Sequence, residues 1–148
     1  MTISIDDLRA DLSGRVLPGG SIVIEPHESA VADGALRAND DPHGVAHPLW
    51  FVIASLRGMG ISVDDLCALA GQEPGDTLLF GSCEVVQDVP PEPGQGYVTT
   101  ARVGEVGSRT IRDGSRLDSI EVVVELFHDQ TPVGVVTSVY LFKRAERQ

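Results

Sequence analysis

Residues 46–60, AHPLWFVIASLRGMG, decide how the rest of the chain must be arranged. Leu49, Trp50, Val52, Ile53 and Leu56 cover most of a helical circumference. A helix that is apolar nearly all round belongs in a core and not on a surface. His47-Pro48 opens the segment, with proline where a missing N–H does no harm, and Gly58 and Gly60 end it. The pattern predicts a buried central helix over 46–59, and everything around it must supply a cover.

Upstream, IDDLRADL is a short amphipathic helix followed by the break LPGG, so residues 1–20 read as an N-terminal helical extension. Ser21–Glu25 is a brief β-type run, and Pro26 starts a helix of small residues that Asn39-Asp40-Asp41-Pro42 stops near Ala38. Downstream, ISVDDLCALAGQEPGD predicts a second, shorter helix. Ser62 is its N-cap, Asp64 and Asp65 stand in its first turn, and Gly71 closes it.

The second half changes character. LLFGSCEVVQDV, GYVTTARVGEVGSRTI, DSIEVVVELFHD and PVGVVTSVYLFKR are rich in Val, Thr and aromatic residues, with turn signals between them. They predict an antiparallel sheet over 79–144, its four strands joined in sequence order, with DVPPEPGQG as a rigid turn. Long strands that follow one buried helix predict a sheet wrapped around that helix. The expected fold is α+β, one domain over residues 1–148.

Composition narrows the functions. A 148-residue chain fits one domain, and a net charge of −11 argues against nucleic acid or an anionic membrane as partner. Arg102, Arg109, Arg112 and Arg116 are the densest basic group. They read either as a solvated strand-and-turn face or as a holder for one anionic small molecule, with Arg109 the substrate-binding candidate. Cys67 and Cys83 imply no disulfide framework and read as small core residues in a reducing cytoplasm. No CxxC, HExxH or paired Cys/His spacing occurs, so no metal is expected. The acidic start MTISIDDLRADLSGR lacks the regions of a signal peptide, and no apolar run approaches the roughly 20 residues of a membrane span. A soluble, cytoplasmic protein is expected.

The order of elements resembles the hotdog arrangement. GVAHPLWFVIASL resembles the segment in which MaoC-like hydratases and dehydratases lead into their central helix. LLFGSCEVVQDVPPEPGQGYVTTARVGEVGSRT is similar to that family's succession of strand, proline-bearing turn and strand, and DSIEVVVELFHDQTPVGVVTSVYLFKR to its closing hairpin. The resemblance covers roughly residues 20–144. It implies an acyl thioester of coenzyme A or acyl carrier protein as substrate, with water added to a 2-enoyl group or removed from a 3-hydroxyacyl group, and no further cofactor. It also implies an Asp and a His acting together on water, and N–H donors at the central helix start for the thioester oxygen.

The family's signature separates that Asp from its His by four residues. Here Asp40 to His43 leaves two between and Asp41 to His47 leaves five, while five positions before His27 stands Ile22. The pair is therefore rearranged or absent. Asp40, Asp41, His43 and His47 are the catalytic candidates, and Asp40 and Asp41 also read as ordinary turn residues. Trp50 reads as core or dimer packing or as acyl-pocket lining, and Gly81 as a β-bulge or a point of close approach to a ligand. His27 and His128 read as loop residues without a role. Besides the hydratase, a non-catalytic subunit paired with a catalytic hotdog chain fits these residues, and so does a thioesterase using Asp40 or Asp41 as base. Each reading expects a homodimer or a heterodimer, because one sheet leaves its edge and the helix side uncovered.

Overall fold

The computed structural model describes residues 2–37 and 44–145. In chain order the elements are α1 (Ile5–Leu12), β1 (Val16–Val23), α2 (Pro26–Ala35), α3 (Leu49–Arg57) and α4 (Val63–Leu69), then β2 (Thr77–Gln87), β3 (Gly96–Thr110), β4 (Arg116–His128) and β5 (Thr131–Lys143). The strands form one antiparallel sheet in the order β1-β3-β4-β5-β2, and α3 packs across it, touching β1, β2, β4 and β5.

The burial of α3 follows from its sequence. Trp50, Phe51 and Ala54 are each at most 2% exposed and join Val103, Ile120, Val122, Val124, Val136 and Phe142 in the core. Each such large apolar side chain contributes about 1.5–3 kcal/mol on burial. The sheet side is shaped to receive the helix. Gly134 lies against the Phe51 ring where any Cβ would collide with it, and Thr99 donates its buried hydroxyl to the Gly58 carbonyl at 2.7 Å, closing the end of the helix. The short helix α4 starts as its sequence predicts, with a reciprocal capping box in which Asp65 N–H donates to Ser62 Oγ and Ser62 N–H to Asp65 Oδ2.

Two expectations about the strands are corrected. LPGG does not break the chain: β1 runs through it, paired with β3, and absorbs Pro18-Gly19 as a register shift between Leu17 and Gly20. Nor are the strands joined in sequence order. β2 pairs with β5, so DVPPEPGQG carries the chain from one edge of the sheet past two strands to β3. It does so around the tip of the β4–β5 hairpin. Asp88 and Val89 both donate N–H to the Val133 carbonyl, and Gln95 Nε2 meets His128 Nε2 at 3.0 Å. His128 is thus a clamp on this crossing strand connection; its other ring nitrogen lies 3.1 Å from the Gly96 carbonyl.

A buried polar cluster ties α4 to the sheet. Arg144, 3% exposed, donates to Asp118 Oδ2 (2.8 Å), Asp76 Oδ2 (3.1 Å), the Ala70 carbonyl (2.7 Å) and the Gly71 carbonyl (3.4 Å). The carbonyls that α4 leaves open at its end are thereby satisfied by a side chain from the end of β5. Arg116 grips the other side of Asp118 through two donors, and Ser108 adds a hydroxyl at 2.7 Å. Burial alone would raise the Asp118 carboxyl, but the bonds from Arg116, Ser108 and Arg144 outweigh it and hold it below the usual carboxylate range.

Candidate functional site

The start of α3 is the focus of the sequence reading, and the structure shows how its donors are used. His47 Nδ1 accepts the Leu49 N–H at 3.0 Å. The next two amides turn back on the chain, Trp50 N–H donating to the His47 carbonyl and Phe51 N–H to the Pro48 carbonyl, each at 3.0 Å. The first three amides of α3 are therefore paired within the chain. This corrects the expectation that they stand open for a thioester oxygen: the histidine ring takes the place an external acceptor would have had. An accepting Nδ1 carries no proton, so the neutral ring holds its proton on Nε2 and presents an N–H donor.

The segment before α3 is braced by the crossing connection, where Ala46 N–H donates to the Pro91 carbonyl at 2.7 Å. Tyr97 stiffens that connection from below: its hydroxyl accepts the Glu92 N–H and donates to Gln95 Oε1 at 2.6 Å. His47 thus sits at the end of the sheet where β2 finishes and β3 begins.

Beside α3, facing α2, lies a cleft of about 280 Å³. Val31, Ala32 and Ala35 of α2 and Trp50 and Ile53 of α3 make apolar walls, and His27, Glu28 and Arg57 form a polar mouth. Glu28 and Arg57 pair at 3.0 Å, and the Arg57 guanidinium lies 5.8 Å from the centre of the Trp50 ring. The Trp50 indole nitrogen is buried with no hydrogen-bond partner. Such a site suits a narrow apolar group with a polar end.

The candidate residues fare differently. Asp40, Asp41 and His43 lie outside the described residues. Trp50 is both core and cleft wall. Gly81 is a bulge, the β2–β5 register shifting between Phe80 and Ser82, and its open side is filled by Leu141. Arg109 is not brought to the site. It lies near the far end of β3, thirteen residues beyond Gly96, which at the rise of a strand is at most about 40 Å measured along β3 from the end where His47 stands. Its side chain is exposed. Arg116, of the same basic group, is committed to Asp118 and to the Ile3 carbonyl. His27, Glu28, Ile53 and Arg57 were missed as cleft residues. His27 is helical and not in a loop, and the small residues of α2 on the α3 side were the available signal.

Among the described residues no group of His, Cys, Asp and Glu is arranged to hold a metal, and no helix is long and apolar enough to cross a membrane.

No protein-family model and no curated relative matches the sequence. Solved structures do match over nearly the whole chain. The C-terminally truncated HadBC (3R-hydroxyacyl-ACP dehydratase) complex from Mycobacterium tuberculosis superposes with a TM-score of 0.64 at 12% identity, covering 88% of this chain and 97% of that one. The fold is the hotdog. The ChsH1–ChsH2 complex from Mycobacterium tuberculosis matches with a TM-score of 0.61 at 17% identity, covering 97% and 91%. A MaoC-like dehydratase from Rhodospirillum rubrum matches with a TM-score of 0.59 at 10% identity, covering 92% and 94%. Thioesterases are among the further hotdog matches. At these identities the likeness establishes the fold: a single α+β hotdog domain with α3 as its central helix.

Proposed function

We propose that this hotdog chain acts on acyl thioesters of coenzyme A or acyl carrier protein as a hydratase or dehydratase of the MaoC-like type, on 2-enoyl or 3-hydroxyacyl groups. The observation that carries the reading is the apolar cleft between α2 and α3, walled by Trp50 and Ile53 of the same central helix whose first amide is capped by His47 Nδ1. The acyl chain lies along Val31, Ala35, Trp50 and Ile53 in this reading, and the carrier is part of the substrate, so no separate cofactor is invoked.

In this reading the ring tautomer divides the roles. With Nδ1 engaged and Nε2 already protonated, neutral His47 donates a hydrogen bond and does not take the proton of the attacking water. The base is then a carboxylate, Asp40 or Asp41, and His47 Nε2–H orients the water or the thioester oxygen, with His43 nearby in sequence. Hydration adds the water oxygen to C3 and a proton to C2, and dehydration reverses both.

One observation favours a second reading. The first three amides of α3 are paired internally, and no carboxylate among the described residues is hydrogen-bonded to His47, which suits a subunit that shapes an acyl pocket for a catalytic hotdog partner. The names of the matched HadBC and ChsH1–ChsH2 complexes are in keeping with such pairing. Either way the chain works as an assembly with a second hotdog chain, in the cytoplasm and without nucleic acid or membrane.

One experiment tests both. The purified chain is given crotonyl-CoA and longer trans-2-enoyl-CoA, and loss of enoyl absorbance and release of free thiol are followed together. Enoyl loss abolished by Asp41→Asn or Asp40→Asn supports the hydratase. Silence that a co-expressed hotdog partner cures replaces it with the pairing subunit. Thiol release without enoyl loss replaces it with a thioesterase.

A further inference from the structure

One ring nitrogen at the tip of the β4–β5 hairpin has two neighbours of opposite kind. Gln95 Nε2 stands 3.0 Å from His128 Nε2, and Asp129 Oδ2 stands 3.3 Å from the same atom. An amide nitrogen can only donate to it, and an ionised carboxylate can only accept from it. Whether the ring nitrogen carries a proton therefore decides which of the two it holds.

The surrounding bonds fix the neutral arrangement. The Gly96 carbonyl, 3.1 Å from Nδ1, only accepts, so Nδ1 carries the proton and Nε2 accepts from Gln95. The Tyr97 hydroxyl already accepts the Glu92 N–H and gives its own proton to Gln95 Oε1, which leaves the amide nitrogen of Gln95 turned to the ring. Protonating Nε2 sets two donors face to face. Rotating the Gln95 amide gives no escape, because the clash then moves to the hydroxyl of Tyr97, which is 3% exposed. The acceptor that remains for the ring is Asp129.

More than the hairpin depends on Gln95. Its backbone carbonyl accepts the Ile24 N–H, the Ile24 carbonyl accepts the Gly94 N–H, and Pro26, two residues on, begins α2. Four residues before Gln95, the Pro91 carbonyl holds the Ala46 N–H at the approach to α3. Pro90, Pro91 and Pro93 stiffen the span between these anchors. The crossing connection thus braces both walls of the α2–α3 cleft.

We propose that His128 is a proton-operated switch on the crossing connection: neutral, it holds Gln95 and steadies both walls of the cleft; protonated, it turns to Asp129 and lets the connection go. The switch regulates the cleft of the proposed function and rests on that reading for its purpose. The titratable groups around the ring are Asp129 of its own turn, Tyr97 of β3 at 6.0 Å between ring centres, and Glu92 of the connection, beside Tyr97. β5 sets the uncharged Thr131 opposite His128. Imidazole is the side-chain group that ordinarily changes charge between about pH 5 and 8, and burial lifts the Tyr97 phenol further out of that range.

The test reads amide exchange in the full chain without substrate, so it can fail while enoyl turnover succeeds, and the reverse. From about pH 8 to about pH 5.5, corrected for the intrinsic chemistry of exchange, protection of the Ile24, Gly94 and Ala46 amides is expected to fall about tenfold, the worth of one hydrogen bond, while amides in the middle of β4 hold. His128→Gln keeps a neutral acceptor for Gln95 and removes the titration, so the fall should disappear. Gln95→Glu accepts from both Tyr97 and the protonated ring, so the three amides should stay protected in acid. Nitrogen NMR of the ring at the higher pH should find the proton on Nδ1. A proton on Nε2 there overturns the proposal, as does unchanged protection in the native chain or a fall that either variant shares with it.

Discussion

Replacing Arg144 by methionine removes a guanidinium that is 3% exposed and keeps most of its volume. Four acceptors lose their donor at once: Asp118, Asp76 and the carbonyls of Ala70 and Gly71. Asp118 keeps Arg116 and Ser108, and Asp76 keeps the N–H groups of Glu73 and Ala145, so neither carboxylate is stripped bare. The α4 carbonyls have no such reserve. Breaking a buried ion pair from one side costs about 3–5 kcal/mol, and the partial reserve places Arg144→Met toward the lower end. For a chain of this size that is a fall of roughly 10 °C in Tm. Urea unfolding at one fixed protein concentration measures it, since any dimer ties stability to concentration. A loss below about 1 kcal/mol, the level of an exposed pair, would refute the reasoning and mean that α4 is held by its apolar face alone.

The same cluster predicts acid sensitivity. Burial works to raise Asp76 as well, but the Glu73 and Ala145 amides and Arg144 outweigh it, so Asp76 and Asp118 both titrate below their unfolded values. Lowered carboxylates contribute stability that is complete above the unfolded value of about 3.9 and is lost as pH falls through the folded one. Unfolding free energy measured between neutral pH and pH 2 should therefore drop below about pH 4, less steeply in Asp118→Asn. At the start of α3, His47→Ala should cost about 1 kcal/mol by freeing the Leu49 N–H, while His47→Asn restores a capping acceptor and most of that stability. Both variants lose the ring N–H, so a fall in enoyl turnover shared by the two reports chemistry, and one confined to His47→Ala reports only the cap.

What was legible in the sequence was whatever depends on one element and its own faces. The apolar circumference of 49–56 announced a buried helix, Ser62 announced the N-cap of α4, and alternation announced the long strands. What was not legible depends on neighbours. No periodicity tells β2 that its partner is β5 and not β3, because alternation encodes a face and not an edge. LPGG looks like a break because Pro and Gly weaken a strand, yet on an outer edge they are tolerated. The amides at the start of α3 look open in a sequence, since what closes them is a side chain two residues before Leu49 and the carbonyls of His47 and Pro48. Arg109 was chosen from a cluster on the linear chain that a long strand draws far from His47.

The crossing connection between β2 and β3 carries a consequence for the order of events in folding. β3, β4 and β5 are linked by tight turns and complete one another locally, whereas β2 must reach around the finished hairpin tip before Asp88, Val89 and Gln95 find their anchors. β2 is also held by a single neighbour. The late-arriving strand is therefore the first to be released when the native state opens locally. Amide exchange would be slowest through β4 and faster along β2, and whatever seats itself on that edge would act as the final clasp of the fold.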